Sequence, residues 1–388
     1  MQNSPAIRLS NVTVGYGSRP VIRQIQVDFL RGKMTCLLGS NGTGKTTMLK
    51  TIAGIIPPLE GEVSILDRPL QKFRPAELAK KMAVVLTNKI DIENLTGFEV
   101  AAMGRYPHTG FFCRLTEEDV RIVEKYLALC SAESLRDTYF HQMSDGERQK
   151  IMLARGLAQE AEILMLDEPT SHLDIKHKLD LLYLLRRLCL EEHRTILCTL
   201  HEPDLAIKCC DQLVLVKEDR VLAAGETEKI IASGLLDQLY GFSQHQFDPS
   251  LGTIEFPNLP GKDVFLIGSD SHTPMLLRNL NKFFRGIGMG ILQENDIACH
   301  IASNMNIPVA TVPPFAPVTD EDVDRAFETA VQYPIILLSD FPLCPLTEKN
   351  RLLADRLRAQ GKSVISLADT SPEEVLVKIC HAEKEEKG

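Results

Sequence analysis

Apolar and polar positions alternate along residues 7 to 30. A period of two residues is typical of strands that bury one face, so this stretch predicts short antiparallel strands. The next apolar run, "MTCLLG" from Met34 to Gly39, lacks this alternation and predicts a fully buried strand. It leads through a glycine-rich turn into a predicted helix from Lys45 to Ala53, which Gly54 ends. The pattern therefore predicts a β layer followed by a strand, a loop and a helix.

Helical and strand-like patterns alternate farther along the chain. Residues 116 to 159 have a helical pattern, whereas "AEILMLDEP" and "RTILCTLHEP" are short apolar runs that end in polar residues, as parallel strands do. Residues 213 to 225 predict a hairpin with a charged turn. We expect an α/β domain over residues 1–242.

A polar segment with several prolines, residues 243–261, is the predicted linker. Beyond it, the apolar runs "DVFLIGS", "IPVATVPP", "YPIILLSD" and "KSVISLAD" are separated by helix-like segments. This alternation predicts a smaller, Rossmann-like α/β domain over residues 262–388, with a largely parallel sheet.

Composition narrows the class of protein. The chain has 388 residues, 44% of them hydrophobic and 24% charged, as expected for a globular protein with more than one core. A net charge of -9 argues against nucleic acid as a partner. We expect no secretory signal and no membrane span. The 10 cysteines include no C-x-x-C pair. Reduced, buried thiols are favoured over a disulfide or metal framework.

The glycine-rich turn carries the strongest motif, since "GSNGTGKTT" fits G-x-x-x-x-G-K-[ST] between a strand and a helix. Backbone N–H groups of residues 41–46 are expected to cradle the β-phosphate of a nucleotide. Lys45 would reach the β and γ oxygens, and Thr46 would ligate Mg2+. The predicted nucleotide contacts here are Gly39, Ser40, Asn41, Gly42, Thr43, Gly44, Lys45, Thr46 and Thr47.

Two later strands are predicted to end in chemically active side chains. Asp167 and Glu168 follow "ILML", where Asp167 is suited to hold Mg2+ and Glu168 to polarise a water that attacks the γ-phosphate. Acids also end strands for solubility alone, but their place after a phosphate loop favours nucleotide hydrolysis. His201 ends the other strand, and an ordinary surface or core histidine is the alternative.

The segment "MSDGERQ" contains an S-x-x-E capping box formed by Ser144 and Glu147. Negative charge at Asp145 and Glu147 also suits the first turn of a helix. The segment therefore predicts a helix start near Ser144.

Taken in order, these motifs resemble the ATP-binding cassette (ABC) ATPases over residues 7 to 241. The resemblance implies a P-loop NTPase cassette with a RecA-like core, an antiparallel β subdomain and a helical subdomain. It implies ATP as the nucleotide, Glu168 as general base and His201 as the γ-phosphate switch. It places Tyr16 on the adenine, although an ordinary strand aromatic is the alternative, and it makes Asp174 in "SHLD" a contact between two cassettes.

The resemblance also implies that Ser144, Gly146 and Glu147 contact ATP bound to the other cassette of a homodimer. The usual signature reads L-S-G-G-Q, from which this chain departs at three positions, Met143, Asp145 and Glu147. A second departure falls near Thr87, where the family has a glutamine. Thr87 is a candidate oxygen ligand for Mg2+, unless the position only packs.

The segment "LTGFEVAAMGRYPHTG" is similar to cassettes of iron-siderophore, haem and cobalamin importers. That similarity implies two transmembrane permease subunits, an extracytoplasmic substrate-binding protein and a place on the cytoplasmic face of the membrane. Arg105 and Tyr106 would lie on the permease-docking surface, or in a solvated loop. The alternatives are a soluble cassette protein that acts on ribosomes or DNA, and a ligand-sensing switch.

Two segments of the second domain are candidates for ligand contact. "LIGSDSHTP" predicts a strand, a polar turn and a helix, an arrangement that binds small anions or nucleotides. Glu294, Asn295, Asp296 and His300 lie close together in sequence, but helix capping by Asn295 or Asp296 is favoured over a metal site. We predict that the second domain has a regulatory or dimer-supporting role.

Overall fold

The computed structural model describes residues 5–379 except 87–91, 110–113, 172, 242–246, 249–252, 343, 369, 371–373 and 376. It separates into two compact units, residues 1–241 and 242–388. Among the described residues, no helix combines the length and the apolar character needed to span a bilayer.

The first unit contains ten strands among its described residues. They are β1 (Pro5–Tyr16), β2 (Arg19–Leu30), β3 (Met34–Leu38), β4 (Glu60–Ile65), β5 (Arg68–Pro69), β6 (Met82–Val85), β7 (Ile163–Leu166), β8 (Thr195–Thr199), β9 (Gln212–Lys217) and β10 (Arg220–Glu226). Its α-helices are α1 (Lys45–Ile52), α2 (Pro75–Lys81), α3 (Gly97–Ala102), α4 (Glu117–Leu129), α5 (Asp145–Ala158), α6 (Ile175–Glu191), α7 (Pro203–Cys209), α8 (Thr227–Ala232) and α9 (Leu235–Tyr240).

Two sheets and a helical layer build this unit. The antiparallel sheet has the order β2-β1-β4-β5, and the larger sheet has the order β10-β9-β3-β8-β7-β6, parallel except at β10. Apolar side chains of both sheets and of α1 share one core. Helices α3 and α4 pack on α5 and form the helical part. The predicted antiparallel layer, buried parallel strands and hairpin are confirmed.

The second unit contains seven strands and four helices of eight residues or more among its described residues. Its strands are β11 (Phe247–Asp248), β12 (Thr253–Ile254), β13 (Val264–Ile267), β14 (Ile287–Gln293), β15 (Val309–Val312), β16 (Ile335–Leu338) and β17 (Val364–Ser366). Its helices are α10 (Thr273–Phe283), α11 (Ile297–Asn304), α12 (Asp320–Ala330) and α13 (Lys349–Ala359).

Strands β13 to β17 form an all-parallel sheet in the order β15-β14-β13-β16-β17. Separate apolar clusters lie on its two faces, one with α10 and α11 and the other with α12 and α13. The predicted parallel α/β domain is therefore confirmed. Asp296 caps α11 by accepting a hydrogen bond from the N–H of Ala298, at 2.8 Å, which supports the capping interpretation.

The predicted linker contains residues that pack within the second unit. Glu255 is buried and pairs with Arg278 of α10. Asn258 accepts a hydrogen bond from the N–H of Ile287 at 3.2 Å. This segment therefore contributes to the structure of the second unit.

Candidate functional site

The phosphate-loop residues lie between β3 and α1, as their sequence predicts. Gly44 has a φ of 96°, a left-handed conformation that favours glycine, immediately before the helix begins at Lys45. A Cβ on Gly39 would lie 2.3 Å from the carbonyl oxygen of Val216, so only glycine fits against β9. The two glycines thus set both ends of the loop.

Lys45 is held inside this loop. Its Nζ donates hydrogen bonds to the carbonyl oxygens of Gly39 and Ser40, at 2.7 and 2.9 Å. Burial lowers the pKa of Lys45, while the negative charges of Glu168 and Asp167 oppose the shift. The ammonium group is therefore positioned at a helix N-terminus, where backbone amides also favour an anion.

Two residues predicted to hold Mg2+ are brought into direct contact. The Thr46 hydroxyl donates to Asp167 Oδ2 at 2.9 Å, and Asp167 is buried. Hydroxyl and carboxylate oxygens are the hard ligands that Mg2+ prefers, so the donor set fits this ion. Thr87, the third predicted ligand, lies outside the described residues.

Glu168 and His201 also come together, at the ends of neighbouring strands β7 and β8. Glu168 Oε1 lies 2.7 Å from His201 Nε2, and Oε2 accepts a hydrogen bond from the Ser171 hydroxyl at 3.2 Å. Glu168 has a φ of 48°, which is costly for a residue with a side chain and is typical of functional sites. The His201 ring and the Ser171 hydroxyl thus fix the orientation of the Glu168 carboxylate.

Thr199 links the two acidic residues, and sequence reasoning missed it. Its hydroxyl donates to Asp167 Oδ1 at 2.9 Å and accepts a hydrogen bond from the N–H of Glu168 at 2.7 Å. The side chain is fully buried at the end of β8. A polar residue that closes an apolar strand two positions before His201 was the available signal.

Tyr16 lies at the end of β1 with about half of its surface exposed, 52%. The Thr47 hydroxyl donates a hydrogen bond to its phenolic oxygen at 3.4 Å. A half-exposed aromatic ring beside α1 is suited to stacking on a base. Tyr16 therefore lies next to the phosphate loop, as expected if both contact the same nucleotide.

The signature segment starts α5 through the predicted capping box. Glu147 Oε2 accepts hydrogen bonds from the backbone N–H and the hydroxyl of Ser144, each at 2.8 Å. The backbone hydrogen bond from Ser144 is the main cause that lowers the pKa of Glu147. These hydrogen bonds turn the Glu147 carboxylate towards its own helix start, while Ser144 remains exposed and Gly146 half-buried.

Asp174 caps α6 and is likewise exposed. It accepts hydrogen bonds from the N–H of His177 at 2.9 Å and from its ring Nδ1 at 2.8 Å. The backbone hydrogen bond from His177 is the first cause that lowers the pKa of Asp174. Ser144, Gly146, Glu147 and Asp174 therefore lie at helix starts and retain surface for another molecule.

The permease-docking prediction is wrong for Arg105, because its side chain is buried. Its guanidinium lies 2.8 Å from Asp119 and 3.1 Å from Glu160, and this pairing ties the turn after α3 to α4 and α5. Tyr106, by contrast, is about half exposed. Only the tyrosine of this pair is accessible for docking.

Together the phosphate loop, the paired acids and the parallel sheet define a P-loop nucleotide-binding protein of the α/β class. A sequence profile described as ABC transporter matches residues 22–171, and one described as MJ0874 family matches residues 287–384. The chain is 41% identical over 278 residues to the uncharacterized ABC transporter ATP-binding protein MJ0873 of Methanocaldococcus jannaschii. That alignment covers 71% of this chain and 96% of the relative.

Two further relatives have names that state a transport function. The ferric enterobactin transport ATP-binding protein FepC of Escherichia coli is 33% identical, covering 61% of this chain and 87% of the relative. The cobalamin import ATP-binding protein BtuD of Halobacterium salinarum is 29% identical, covering 77% of both.

Solved structures agree with these relatives. An ABC transporter described as metal-chelate type, in an inward-facing conformation, matches with a TM-score of 0.53 and 26% identity, covering 61% of this chain and 89% of that chain. The dimeric cassette MJ0796 matches with a TM-score of 0.52 and 26% identity, covering 57% and 98%. The chain belongs to the ATP-binding proteins of ABC transporters, and it is an ATPase.

Proposed function

We propose that this ATPase drives a membrane importer whose cargo is a metal chelate of the iron-siderophore or cobalamin type. The observation that carries the enzymatic part is that Thr46, at the start of α1, contacts Asp167 after β7, and that Glu168 contacts His201 after β8. The importer part is supported by similarity to the transport proteins FepC and BtuD and to the metal-chelate type transporter.

Within this proposal, the loop and Lys45 bind the phosphates of ATP, and Tyr16 stacks on the adenine. Thr46 and Asp167 would hold Mg2+, which would supply positive charge to stabilise the phosphates. Glu168 accepts a proton from the water that attacks the γ-phosphorus, and the bond to the bridging oxygen breaks to release ADP. His201, 2.7 Å from that carboxylate, positions Glu168 and contacts the γ-phosphate.

Two copies of the chain would complete two ATP sites. Ser144, Gly146 and Glu147 start α5 at the surface. The N–H groups of Ser144 and Glu147 serve the capping box, so the N–H of Gly146 and the dipole of the helix start are the features suited to the γ-phosphate of ATP on the partner. Asp174 would contact the partner at the same interface. The dimeric cassette among the solved structures supports this arrangement.

The remaining partners follow from the importer proposal. Two transmembrane permease subunits would hold the cassettes at the cytoplasmic face of the membrane, with an extracytoplasmic binding protein that delivers the cargo. We assign residues 1–242 to the ATPase, 243–261 to the connection and 262–388 to a regulatory or dimer-supporting domain.

The cobalamin-type cargo has one additional support. The first unit comprises 241 of the 388 residues. The alignment to BtuD covers 77% of this chain and is therefore longer than that unit, whereas the alignment to FepC covers 61%. Similarity to BtuD therefore extends into the second unit.

The test is to purify the full chain from membranes of its source, carrying Glu168→Gln to retain bound ATP, and to identify co-purifying proteins. Co-purification of a permease with membrane-spanning helices, with both Glu168→Gln and the unchanged chain, supports the importer. Recovery of ribosomes, or of the chain alone, from membranes that contain the permease would contradict it. Glu228→Gln, an exposed acid of α8, is the control.

A further inference from the structure

Three cysteines that are distant in sequence meet inside the first unit. Cys36 of β3 and Cys198 of β8 are direct neighbours in the register of the parallel sheet. Leu37 and Leu197, the next residues, belong to the core shared with the antiparallel sheet, so the two cysteines occupy the opposite face. Cys210 follows α7, and both α6 and α7 pack on β3. Strand pairing and one helix end thus bring the three sulfurs together.

The three sulfur atoms lie within 4.8 Å of one another, and all three residues are buried. Sulfurs that share one ion at about 2.3 Å lie roughly 4 Å apart, so the thiols need to close by less than about 1 Å. The Sγ of Cys209, which is half-buried, lies 3.5 Å from the Sγ of Cys210. A fourth thiol therefore lies at the side of the cluster nearest the surface.

We propose that Cys36, Cys198 and Cys210 form a binding site for a thiophilic d10 cation, Cu+ or Zn2+, with Cys209 at its entrance. Thiolate ligands select these ions over the hard Mg2+ bound by oxygen ligands. The proposal concerns a site separate from the ATPase residues and does not depend on the importer function.

Hydrogen bonds between the thiols link the three cysteines: they raise the pKa of Cys210 and lower that of Cys198, while burial is the main cause that raises the pKa of Cys36. All three thiols would lose their protons when they ligate the ion, because the thiolate is the form that binds a metal.

The site would brace two strands that carry the nucleotide chemistry. Cys36 lies on β3, which leads into the phosphate loop, and Cys198 directly precedes Thr199, whose hydroxyl holds Asp167 and the N–H of Glu168. A bound ion would therefore restrict the relative movement of β3 and β8.

The experiment uses the reduced, metal-free full chain under anaerobic conditions. Zn2+ and Cu+ are added separately against a competing chelator, and bound metal is counted after gel filtration. We expect one tightly held ion of at least one kind per chain, and on the order of 100-fold weaker binding in Cys36→Ser and Cys198→Ser. Cys130→Ser and Cys299→Ser, which change buried cysteines elsewhere, should bind like the unchanged chain.

Equal binding in the unchanged chain, Cys36→Ser and Cys198→Ser would overturn the proposal, as would the absence of tight binding of either ion. X-ray absorption of the unchanged, metal-loaded chain makes the test independent of how the variants fold. A shell of sulfur atoms at about 2.3 Å supports the site, whereas a shell of nitrogen or oxygen atoms only refutes it.

Discussion

The two units share one mode of construction and differ at the ends of their strands. Each has a largely parallel sheet, and in such sheets ligands bind beyond the carboxyl ends of the strands. In the first unit those ends carry Asp167, Glu168, Thr199 and His201, which short contacts join to one another and to Thr46 at the start of α1. The fold alone therefore does not define the chemistry, which depends on the side chains at the strand ends.

The corresponding edge of the second unit has a different set of polar side chains. Ser269 donates a hydrogen bond to Asp296, whereas the buried Ser339 hydroxyl after β16 has no hydrogen-bond partner among the described residues. Asn350 is buried and satisfies both backbone groups of Ile291, which is a structural use of a polar side chain. The comparison predicts catalytic effects from changes in the first unit and local structural effects from changes in the second.

Lys45→Ala should cause the largest loss of ATP hydrolysis among these substitutions. The substitution removes the buried ammonium that the loop directs at the phosphates, so we expect ATP hydrolysis to fall about 100- to 1000-fold. Steady-state ATPase assays and nucleotide-binding titrations measure the loss. Lys50→Ala, in the last turn of the same helix, should retain activity; equal losses in both variants would contradict the assigned role.

Thr199→Val should reduce kcat by about 10- to 100-fold while nearly preserving side-chain volume. The reason is that both the Asp167 carboxylate and the backbone of Glu168 lose the hydroxyl that orients them. Thr35→Val, another buried threonine of the same sheet, is the matched control. Equal kcat values for Thr199→Val and the unchanged chain would show that this hydroxyl only packs.

Asn350→Leu should destabilise the second unit locally by about 2–4 kcal/mol, since two buried backbone groups of Ile291 lose their partner. Hydrogen–deuterium exchange of peptides spanning β14 measures this change. The ATPase activity of the full chain, which depends on residues of the first unit, should remain unchanged. Unaltered exchange in β14 would contradict the structural role of Asn350.

Ser339→Ala should have the smallest effect, less than about 1 kcal/mol, because the removed hydroxyl makes no hydrogen bond within the described part of the chain. The same exchange measurement checks it. A loss as large as that of Asn350→Leu would show that Ser339 has a partner and would weaken the contrast between the two edges.

Local signals explain why much of the first unit was predictable. The phosphate loop lies between a buried strand and a helix, and the capping box joins Ser144 to Glu147, only three positions apart. Alternating and continuous apolar runs likewise predicted which strands are half-buried and which are buried on both faces. Such features depend on neighbours in sequence, so they can be interpreted without the fold.

Contacts between distant segments were not predictable in the same way. Thr199 gains its partners only when β7 and β8 pair. The buried Arg105 pairs with Asp119, 14 residues away, and with Glu160, 55 residues away. The meeting of Cys36, Cys198 and Cys210 also follows from strand register and the position of α7. In the sequence, these cysteines show no metal-binding spacing.

The most direct measurement of the central claim is the rate of ATP hydrolysis by Glu168→Gln beside the unchanged chain and Glu228→Gln. We expect Glu168→Gln to bind ATP normally but to hydrolyse it at least about 100-fold more slowly, because the group that accepts the proton is gone. Glu228→Gln should hydrolyse ATP normally. Undiminished hydrolysis by Glu168→Gln would contradict the assignment of Glu168 as the general base.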